Sequence, residues 1–186
     1  MASEVWLLRH AETEWSLSGK HTSRTDLPLT EHGRELARAL RPRVEAHQFA
    51  LVLSSPLSRA RDTADLAGLR VDGLRDELRE WDYGEYEGVT TPQIRETRPD
   101  WYLWRDGAPG GESPEAVTAR CDRLIAELAD VEGDVALAGH GHILRALAAR
   151  WVQEPASFGG RLHLGTGTIS VLGYEREVRV IRSWSA

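Results

Sequence analysis

The chain has 186 residues, a formal net charge of -6, 41% hydrophobic residues and 28% charged residues. A domain typically has about 100–200 residues, so we expect one domain over residues 1–186. The composition excludes a disordered chain, and no apolar run approaches the ~20 residues of a membrane-spanning helix. The acidic balance disfavours binding to nucleic acid or to a membrane surface, whereas a small anionic ligand requires only a local group of cations.

The cysteine content and the N-terminal segment limit the cellular compartment in which we expect the protein. Cys121 is the only cysteine, which excludes an internal disulfide and a cysteine-based metal cluster, and we expect it to fill space on a helix. The N-terminal segment lacks the basic and long apolar regions of a secretory signal, so we expect a cytoplasmic protein. The basic residues are arginines except for Lys20, and the planar guanidinium group is well suited to binding oxyanions.

Short apolar runs alternate with segments of helical periodicity, a pattern typical of an α/β fold with a mostly parallel sheet. Buried strands are predicted at residues 5–8, 51–53 and 135–138. Residues 168–174 and 178–184 flank a polar turn, which predicts an antiparallel hairpin at one edge of the sheet.

Capping residues indicate three helix starts. Thr30 precedes an apolar periodicity that continues to the neighbourhood of His47. Ser55 and Ser113 are each followed by proline, and this pair predicts an N-cap and the first residue of a helix.

Glycine, proline and aromatic residues are concentrated between residues 76 and 113. This composition predicts an irregular segment that contains a short helix. We expect residues 81–113 to act as a lid over an active site, because long irregular segments in compact domains often carry function. Glu80 lies where this segment begins.

The predicted strands end next to residues that suit phosphate chemistry. Arg9 and His10 follow the first strand, Arg59 lies just beyond the second, and His140 follows the third. Ligands of open α/β sheets bind at the carboxyl ends of the strands, so these side chains are expected to lie close together. Arginines bind phosphoryl oxygens, and a neutral imidazole can attack phosphorus. The sequence shows no carboxylate cluster for a magnesium ion, so we expect neither a metal nor another cofactor.

A set of short segments follows one order along most of the chain. They are Leu8-Arg9-His10-Ala11-Glu12-Thr13, then residues 25–33, 55–63, 80–88 and 110–113, and finally His140-Gly141. Together these segments resemble the histidine phosphatase superfamily in its phosphoglycerate-mutase-like branch. The resemblance implies a three-layer α/β/α sandwich.

The resemblance also implies roles for individual residues. His10 is expected to be the nucleophile, with Arg9, Arg59 and His140 holding the phosphoryl group. Glu80 is expected to protonate the leaving oxygen and then to accept a proton from water. Further substrate contacts are expected at Ser16, Thr22, Ser23, Arg24 and Tyr83.

Ala11 and His142 are close in sequence to the expected site residues His10 and His140. Ala11 stands where the family has glycine after the nucleophile, so we expect a methyl group beside the phosphate pocket and strain if the backbone there has a positive φ. His142 follows His140 by two residues, and we expect it to be a structural residue on the helix side.

The expected activity is hydrolysis of a small phosphorylated metabolite by a metal-independent phosphomonoesterase, through a phosphohistidine intermediate. The first alternative is a cofactor-dependent phosphoglycerate mutase. Such mutases generally carry a longer arginine-bearing insertion, whereas the compact segment here has Arg95, Arg98 and Arg105 as its main basic residues. The second alternative is a catalytically weak phospho-ligand sensor, motivated by Ala11. The fold permits a homodimer through an edge strand or an exposed helix, although no residue in the sequence establishes one.

Overall fold

A six-stranded sheet runs through the centre of the molecule in the order β3-β2-β4-β1-β5-β6. The computed structural model describes residues 2–186. The strands are β1 (Ala2–Arg9), β2 (Leu51–Ser54), β3 (Gly73–Leu74), β4 (Gly133–Gly139), β5 (Ile169–Glu175) and β6 (Val178–Ser183). The first four are mutually parallel, and β5 is antiparallel to both β1 and β6. The predicted parallel strands and the edge hairpin are therefore confirmed.

Helices cover both faces of the sheet. They are α1 (Glu14–Ser18), α2 (Glu31–Ala39), α3 (Arg41–Glu45), α4 (Ser58–Leu66), α5 (Thr91–Thr97), α6 (Leu103–Asp106), α7 (Pro114–Leu128) and α8 (Gly141–Trp151). Adjacent residues of β1 point to opposite faces, so Leu7 joins the core made with α7 and α8 while Leu8 joins the core made with α3 and α4. This arrangement confirms the α/β/α sandwich.

The helix predicted after Thr30 is interrupted. The Thr30 hydroxyl caps α2 by accepting a hydrogen bond from the backbone N–H of Gly33 at 2.9 Å, as predicted. However, α2 ends at Ala39, and the short helix α3 begins at Arg41. Pro42 has no N–H to continue the backbone hydrogen bonding, which accounts for the break.

Helix α4 begins at Ser58, so the start predicted at Pro56 is wrong. Ser55 Oγ lies 2.8 Å from His140 Nε2 and accepts a hydrogen bond from the Leu57 N–H at 3.3 Å, so it contacts the turn before α4 rather than the helix itself. The first turn is capped instead by Asp26, whose Oδ1 accepts hydrogen bonds from both the backbone N–H and the hydroxyl of Ser58. In contrast, Ser113 caps α7 as predicted, and Cys121 is buried on that helix.

The irregular segment over residues 81–113 contains two short helices, α5 and α6, rather than one. Its aromatic residues Trp81, Tyr83, Trp101 and Trp104 are buried in the same core as the sheet. The segment therefore forms a packed wall of the molecule, and its movement as a lid stays a prediction. Across residues 2–186, no helix combines the length and apolar character needed to cross a membrane.

Candidate active site

His10 lies directly after β1, and its orientation defines the reactive nitrogen. The backbone N–H of His10 donates to the Gly139 carbonyl at 2.9 Å, which ties the end of β1 to the end of β4. The ring Nδ1 lies 2.7 Å from the Ala11 carbonyl and must carry the proton, since a carbonyl can only accept. Burial, together with the positive charges of Arg59 and Arg9, holds the pKa of His10 well below its ordinary value. The ring is therefore neutral, with the Nε2 lone pair available.

Ala11 does not obstruct the pocket. Its side chain is fully buried in a small apolar cluster with Leu29 and Ala37. Its backbone N–H donates to Thr63 Oγ1 at 3.0 Å. Among residues 2–186, the non-glycine residues with positive φ are Gln153, Arg176 and Ser185, so Ala11 is not among them. The methyl group does not line the cavity, contrary to expectation, and the condition for backbone strain, a positive φ, is not met.

Arg9 presents an unused donor next to His10. One Nη1–H donates to the Leu164 carbonyl, and the buried Nε–H has no acceptor within residues 2–186. Burial lowers the pKa of Arg9, while the nearby Glu80 carboxylate acts in the opposite direction. An unpaired buried N–H is costly, so this group favours the arrival of an anionic oxygen.

Arg59 and His140 lie behind His10 rather than on the open wall of the pocket. The guanidinium of Arg59 is fully buried and donates to the carbonyl oxygens of Thr22, Ser23 and Thr25. Its Nε–H also donates to His140 Nδ1 at 3.2 Å. Arg59 thus fixes the loop over residues 22–25 and places a positive charge under the nucleophile.

The ring of His140 is neutral and does not line the cavity, although it was expected to hold the phosphoryl group. Burial and the charge of Arg59 hold the pKa of His140 well below its ordinary value. Because Nδ1 accepts from Arg59, the proton resides on Nε2 and is donated to Ser55 Oγ at 2.8 Å. The positive charge beside His10 therefore comes from the two arginines. An anion bound near His140 would raise the pKa of its ring, because a negative charge stabilises the protonated form.

Glu80 is held at the N-terminus of α8. Its Oε1 accepts hydrogen bonds from the backbone N–H groups of Trp81 and Ile143, both at 2.9 Å. Its Oε2 accepts one from the N–H of His142 at 3.0 Å. A carboxylate oxygen has two lone-pair positions, so Oε1 is saturated and Oε2 retains one. Proton exchange with a ligand is therefore assigned to Oε2.

The structure brings most of the predicted site residues around one cavity of about 170 Å³. Arg9, His10 and Glu80 line it, as do the predicted contacts Ser16, Thr22 and Tyr83. The Ser16 hydroxyl is also part of the cap of α1, where it accepts from the Thr13 N–H at 2.9 Å.

Ser23 and Arg24, two of the predicted substrate contacts, do not line this cavity. The hydroxyl of Ser23 donates to the Glu87 carboxylate at 2.5 Å. The guanidinium of Arg24 forms an ion pair with Asp82. Both residues lie on a neighbouring cleft that shares Glu80 with the main cavity. Their structural roles are to connect the loop over residues 22–25 to the segment after Glu80.

Several lining residues were not predicted from the sequence to contact the substrate. Lys20, His21, His142 and Arg145 all line the cavity. His142 is therefore not only the structural residue that was expected, and its Nδ1 lies 2.6 Å from the Tyr83 hydroxyl. One available signal was helical spacing, because Arg145 lies four residues after Gly141 and so shares its face of α8.

The arginines of the segment over residues 81–113 form hydrogen bonds within that segment. Arg95 donates to the Trp101 carbonyl, Arg98 to the Tyr86 hydroxyl, and Arg105 to the Asp106 carboxylate. None of these three arginines lines the cavity. They do not form the carboxylate-gripping surface that a phosphoglycerate mutase requires.

One group with metal-ligand character occurs within residues 2–186, namely Glu4, His47 and Asp134. Glu4 lies near the beginning of β1, whereas His10 follows its end, so this group is at the opposite edge of the sheet. Glu4 is also engaged by Arg182 at 2.9 Å and by the indole N–H of Trp6 at 3.0 Å. The phosphate-binding chemistry proposed for the cavity does not involve this group.

Comparison with known proteins agrees with this geometry. The family model of the histidine phosphatase superfamily (branch 1) matches residues 5–186. An acid phosphatase from Mycobacterium tuberculosis is 46% identical over 178 residues, covering 93% of this chain and 87% of the relative. A sedoheptulose 1,7-bisphosphatase from Saccharomyces cerevisiae is 37% identical over 179 residues, covering 78% of this chain and 66% of the relative.

A solved structure of an open reading frame product from Mycobacterium tuberculosis superimposes with a TM-score of 0.96 at 42% identity. The match covers 100% of this chain and 98% of that chain. Its agreement extends over all three layers of the sandwich. The chain belongs to branch 1 of the histidine phosphatase superfamily and is a phosphoric monoester hydrolase.

Proposed function

We propose that the protein is a metal-independent phosphomonoesterase that hydrolyses a small phosphorylated metabolite through a phosphohistidine at His10. The observation that carries the proposal is the His10 ring, whose Nδ1 is committed to the Ala11 carbonyl at 2.7 Å and whose Nε2 is unprotonated. This ring lines a cavity together with a guanidinium, Arg9, and a carboxyl group, Glu80. A nucleophile, a phosphate-binding cation and a proton donor thus share one site.

In the first step, the Nε2 lone pair of His10 forms a bond to phosphorus while the bond from phosphorus to the ester oxygen breaks. A protonated Glu80 transfers its proton from Oε2 to the departing oxygen, so the leaving group departs as a neutral alcohol. The N–H of Arg9 that has no protein acceptor interacts with the phosphoryl oxygens as their charge redistributes.

In the second step, water attacks the phosphorus of the phosphohistidine. The ionised Glu80 accepts a proton from this water at Oε2, and the nitrogen–phosphorus bond breaks. Inorganic phosphate leaves, His10 regains its Nε2 lone pair, and Glu80 regains its proton. The enzyme is therefore restored without a redox change or a second substrate.

The positive charge needed for both steps is supplied by protein side chains. Arg9 lines the cavity, and Arg59 lies beneath it within reach of His140 and the loop over residues 22–25. Fixed guanidinium groups in a water-poor site stabilise the charge of a transferring phosphoryl group. We propose Ser16, Thr22 and Tyr83 as the walls that contact the rest of the substrate.

Two observations favour hydrolysis over the alternatives. The relatives from Mycobacterium tuberculosis and Saccharomyces cerevisiae are both named as phosphatases, and the arginines at positions 95, 98 and 105 are engaged away from the cavity. The methyl group of Ala11 is packed in an apolar cluster, which removes the reason for proposing a weak sensor.

The direct experiment measures inorganic phosphate release from sugar phosphates, sugar bisphosphates, phosphoglycerates, phosphoamino acids and an aryl phosphate, all in excess chelator. We expect release that persists in chelator and is lost by at least about a thousandfold in His10→Ala, because the nucleophile is removed. The matched control is His32→Ala, which removes an exposed histidine on α2.

The control variant is expected to retain the activity of the natural chain. Release by His10→Ala at the same rate would contradict the proposal, as would loss of release in chelator. Interconversion of 2- and 3-phosphoglycerate without net phosphate release would assign the mutase activity instead.

A further inference from the structure

The cavity contains more positive charge than the transferred phosphoryl group uses. Its lining includes the cations Arg9, Lys20 and Arg145 but only one carboxylate, that of Glu80. Arg9 is assigned to the reacting phosphoryl group because it adjoins His10. Lys20 and Arg145 are left over, and both line the same cavity.

Arg145 is held in position by contacts that do not neutralise its charge. Its Nε–H donates to the Gly159 carbonyl at 2.9 Å, and its guanidinium lies 5.0 Å from the centre of the Trp104 ring. No carboxylate within residues 2–186 forms an ion pair with it. Both terminal NH₂ groups therefore remain free to donate, and their planar arrangement fits a carboxylate or a phosphate.

Backbone hydrogen bonds fix the position of Lys20, so its ammonium group can reach only a limited region. Gly19 ends α1 with a φ of 72°, and the Lys20 N–H donates to the Trp15 carbonyl at 3.0 Å. The Lys20 backbone also bridges to Thr90, and its Nζ lies 5.4 Å from the centre of the Trp15 ring. Like Arg145, Lys20 forms no ion pair with a carboxylate in the described part of the chain.

His142 adds a neutral ring to the cavity that these cations line. Burial and the charge of Arg145 hold the pKa of His142 well below its ordinary value. Its Nδ1 lies 2.6 Å from the Tyr83 hydroxyl. The ring brings no negative charge near the two cations, which together match an oxyanion.

We propose that Arg145 and Lys20 form a second anion subsite, which binds a carboxylate or a phosphate at the far end of the substrate. The natural substrate is therefore a phosphate ester with a second anionic group, a narrower class than phosphorylated metabolites in general. The cavity of about 170 Å³ restricts the connection between the two groups to a short chain. This inference rests on the proposed function, because it takes the His10 end of the cavity as the reacting end.

The kinetic test compares three substrates that share a three-carbon chain and differ at the far end. Glycerol 3-phosphate ends in a hydroxyl, 3-phosphoglycerate in a carboxylate, and propane-1,3-diol bisphosphate in a phosphate. We expect kcat/KM for at least one anionic substrate to exceed that for glycerol 3-phosphate by at least about tenfold. The anionic substrate with the higher kcat/KM shows whether the second anionic group of the natural substrate is a carboxylate or a phosphate.

The variants Arg145→Gln and Lys20→Gln are each expected to reduce this preference severalfold, mainly through KM. The matched control is Arg70→Gln, an exposed arginine between α4 and β3 that should keep the full preference. Circular dichroism verifies folding, and Lys20→Gln decides the test if Arg145→Gln does not fold. Equal kcat/KM for all three substrates, or a preference that survives in the folded variants, would overturn the subsite.

A binding experiment separates failure of the subsite from failure of the proposed function. Lys20 is the only lysine, so reductive methylation with ¹³C-formaldehyde gives one lysine signal and one signal from the N-terminal amine. In His10→Ala protein, titration with propane-1,3-diol bisphosphate or 3-phosphoglycerate should shift the lysine signal and not the N-terminal one. A shift without catalysis in the natural chain would retain the subsite and reject the hydrolase, whereas an unmoved lysine signal would reject the subsite.

Discussion

The imidazole of His10 has the form that the proposed nucleophile requires, because its two nitrogens have different neighbours. Nδ1 is committed to the Ala11 carbonyl at 2.7 Å, which leaves the lone pair on Nε2. The charges of Arg9 and Arg59, added to burial, keep the pKa of this ring low. His10 consequently stays neutral in mildly acidic solution.

The Ala11→Gly variant tests the role of the residue after the nucleophile. We expect turnover to change by less than about twofold, because the methyl group contacts Leu29 and Ala37 rather than the cavity. The free energy of unfolding should fall by about 1–2 kcal/mol through loss of buried methyl contacts and greater backbone freedom. Phosphate release and urea denaturation measure the two effects, and a marked rise in turnover would restore the sensor hypothesis.

At the residue scale, sequence reasoning was most effective for groups next to strand ends. Arg9 and His10 come directly after a short apolar run, so their location at the carboxyl end of a strand could be predicted from this pattern. Glu80 was separated from its acidic neighbours only by a family resemblance. Arg145 could not be assigned, because an arginine within an apolar helix pattern does not reveal that it faces a cavity and has no ion-pair partner.

Helix α8 and the segment before residue 81 together determine where the Glu80 carboxylate lies. Two N–H groups of the first turn of α8 bind the Glu80 carboxylate. From α7, Arg120 donates to the carbonyl oxygens of Glu77, Arg79 and Glu80 and forms an ion pair with Glu112 at 2.7 Å. Arg120 is therefore a positioning residue for Glu80.

The Arg120→Met variant should weaken proton donation more than phosphate binding. Loss of the three backbone contacts frees the segment that carries Glu80, so we expect kcat to fall by about tenfold or more with little change in KM. The loss in kcat/KM, which reports the steps up to departure of the leaving group, should be larger for an alkyl phosphate than for 4-nitrophenyl phosphate, whose leaving group needs no proton. Steady-state kinetics with both substrates measure this difference.

The matched control for this variant is Arg123→Met on the same helix. Arg123 is exposed and lies 3.7 Å from Glu77, without contacting the backbone near Glu80. It should leave both activities intact. If Arg120→Met reduced kcat/KM for the two substrates by equal factors, its role would be structural rather than positional.

At the element scale, the strands were easier to predict than the helix starts. A buried strand is marked by a continuous apolar run, as in Leu51, Val52 and Leu53. The start of α4 depends on Asp26, which is 32 positions away from the residue it caps. Such a long-range cap leaves no local pattern, so Ser55 and Pro56 indicated a start that is too early.

The molecule as a whole combines an acidic surface with a cationic interior site. The net charge is -6, yet the cavity is lined by three cations and one carboxylate. Neutral histidines accompany these cations. Burial and nearby positive charges lower the pKa values of His10, His140 and His142 well below the ordinary range, and burial lowers that of His21 to about 4.

These histidines predict how stability depends on pH. Below about pH 6.5 the unfolded chain takes up protons that the folded chain resists, so the free energy of unfolding should fall as the pH decreases. Each such histidine contributes up to about 1.4 kcal/mol per pH unit, and none of them contributes above this range. Urea denaturation at several pH values between about 7.5 and 5 measures the slope.

A pair of substitutions tests the assignment of this slope. His21→Gln should make it shallower, because one buried neutral histidine is removed. His32→Gln, which changes an exposed histidine on α2, should leave the slope as it is. A stability that stays constant or increases from about pH 7 to about pH 5 would contradict the account.

The most direct test of the central claim is detection of the phosphohistidine in Glu80→Gln enzyme mixed with 4-nitrophenyl phosphate. The leaving group needs no proton, so the first step should proceed, whereas loss of the carboxylate slows the attack of water. We predict a burst of nitrophenol and an acid-labile phosphoryl group that peptide mass spectrometry places on His10. A burst without this adduct, or an adduct on another residue, would contradict the proposed mechanism.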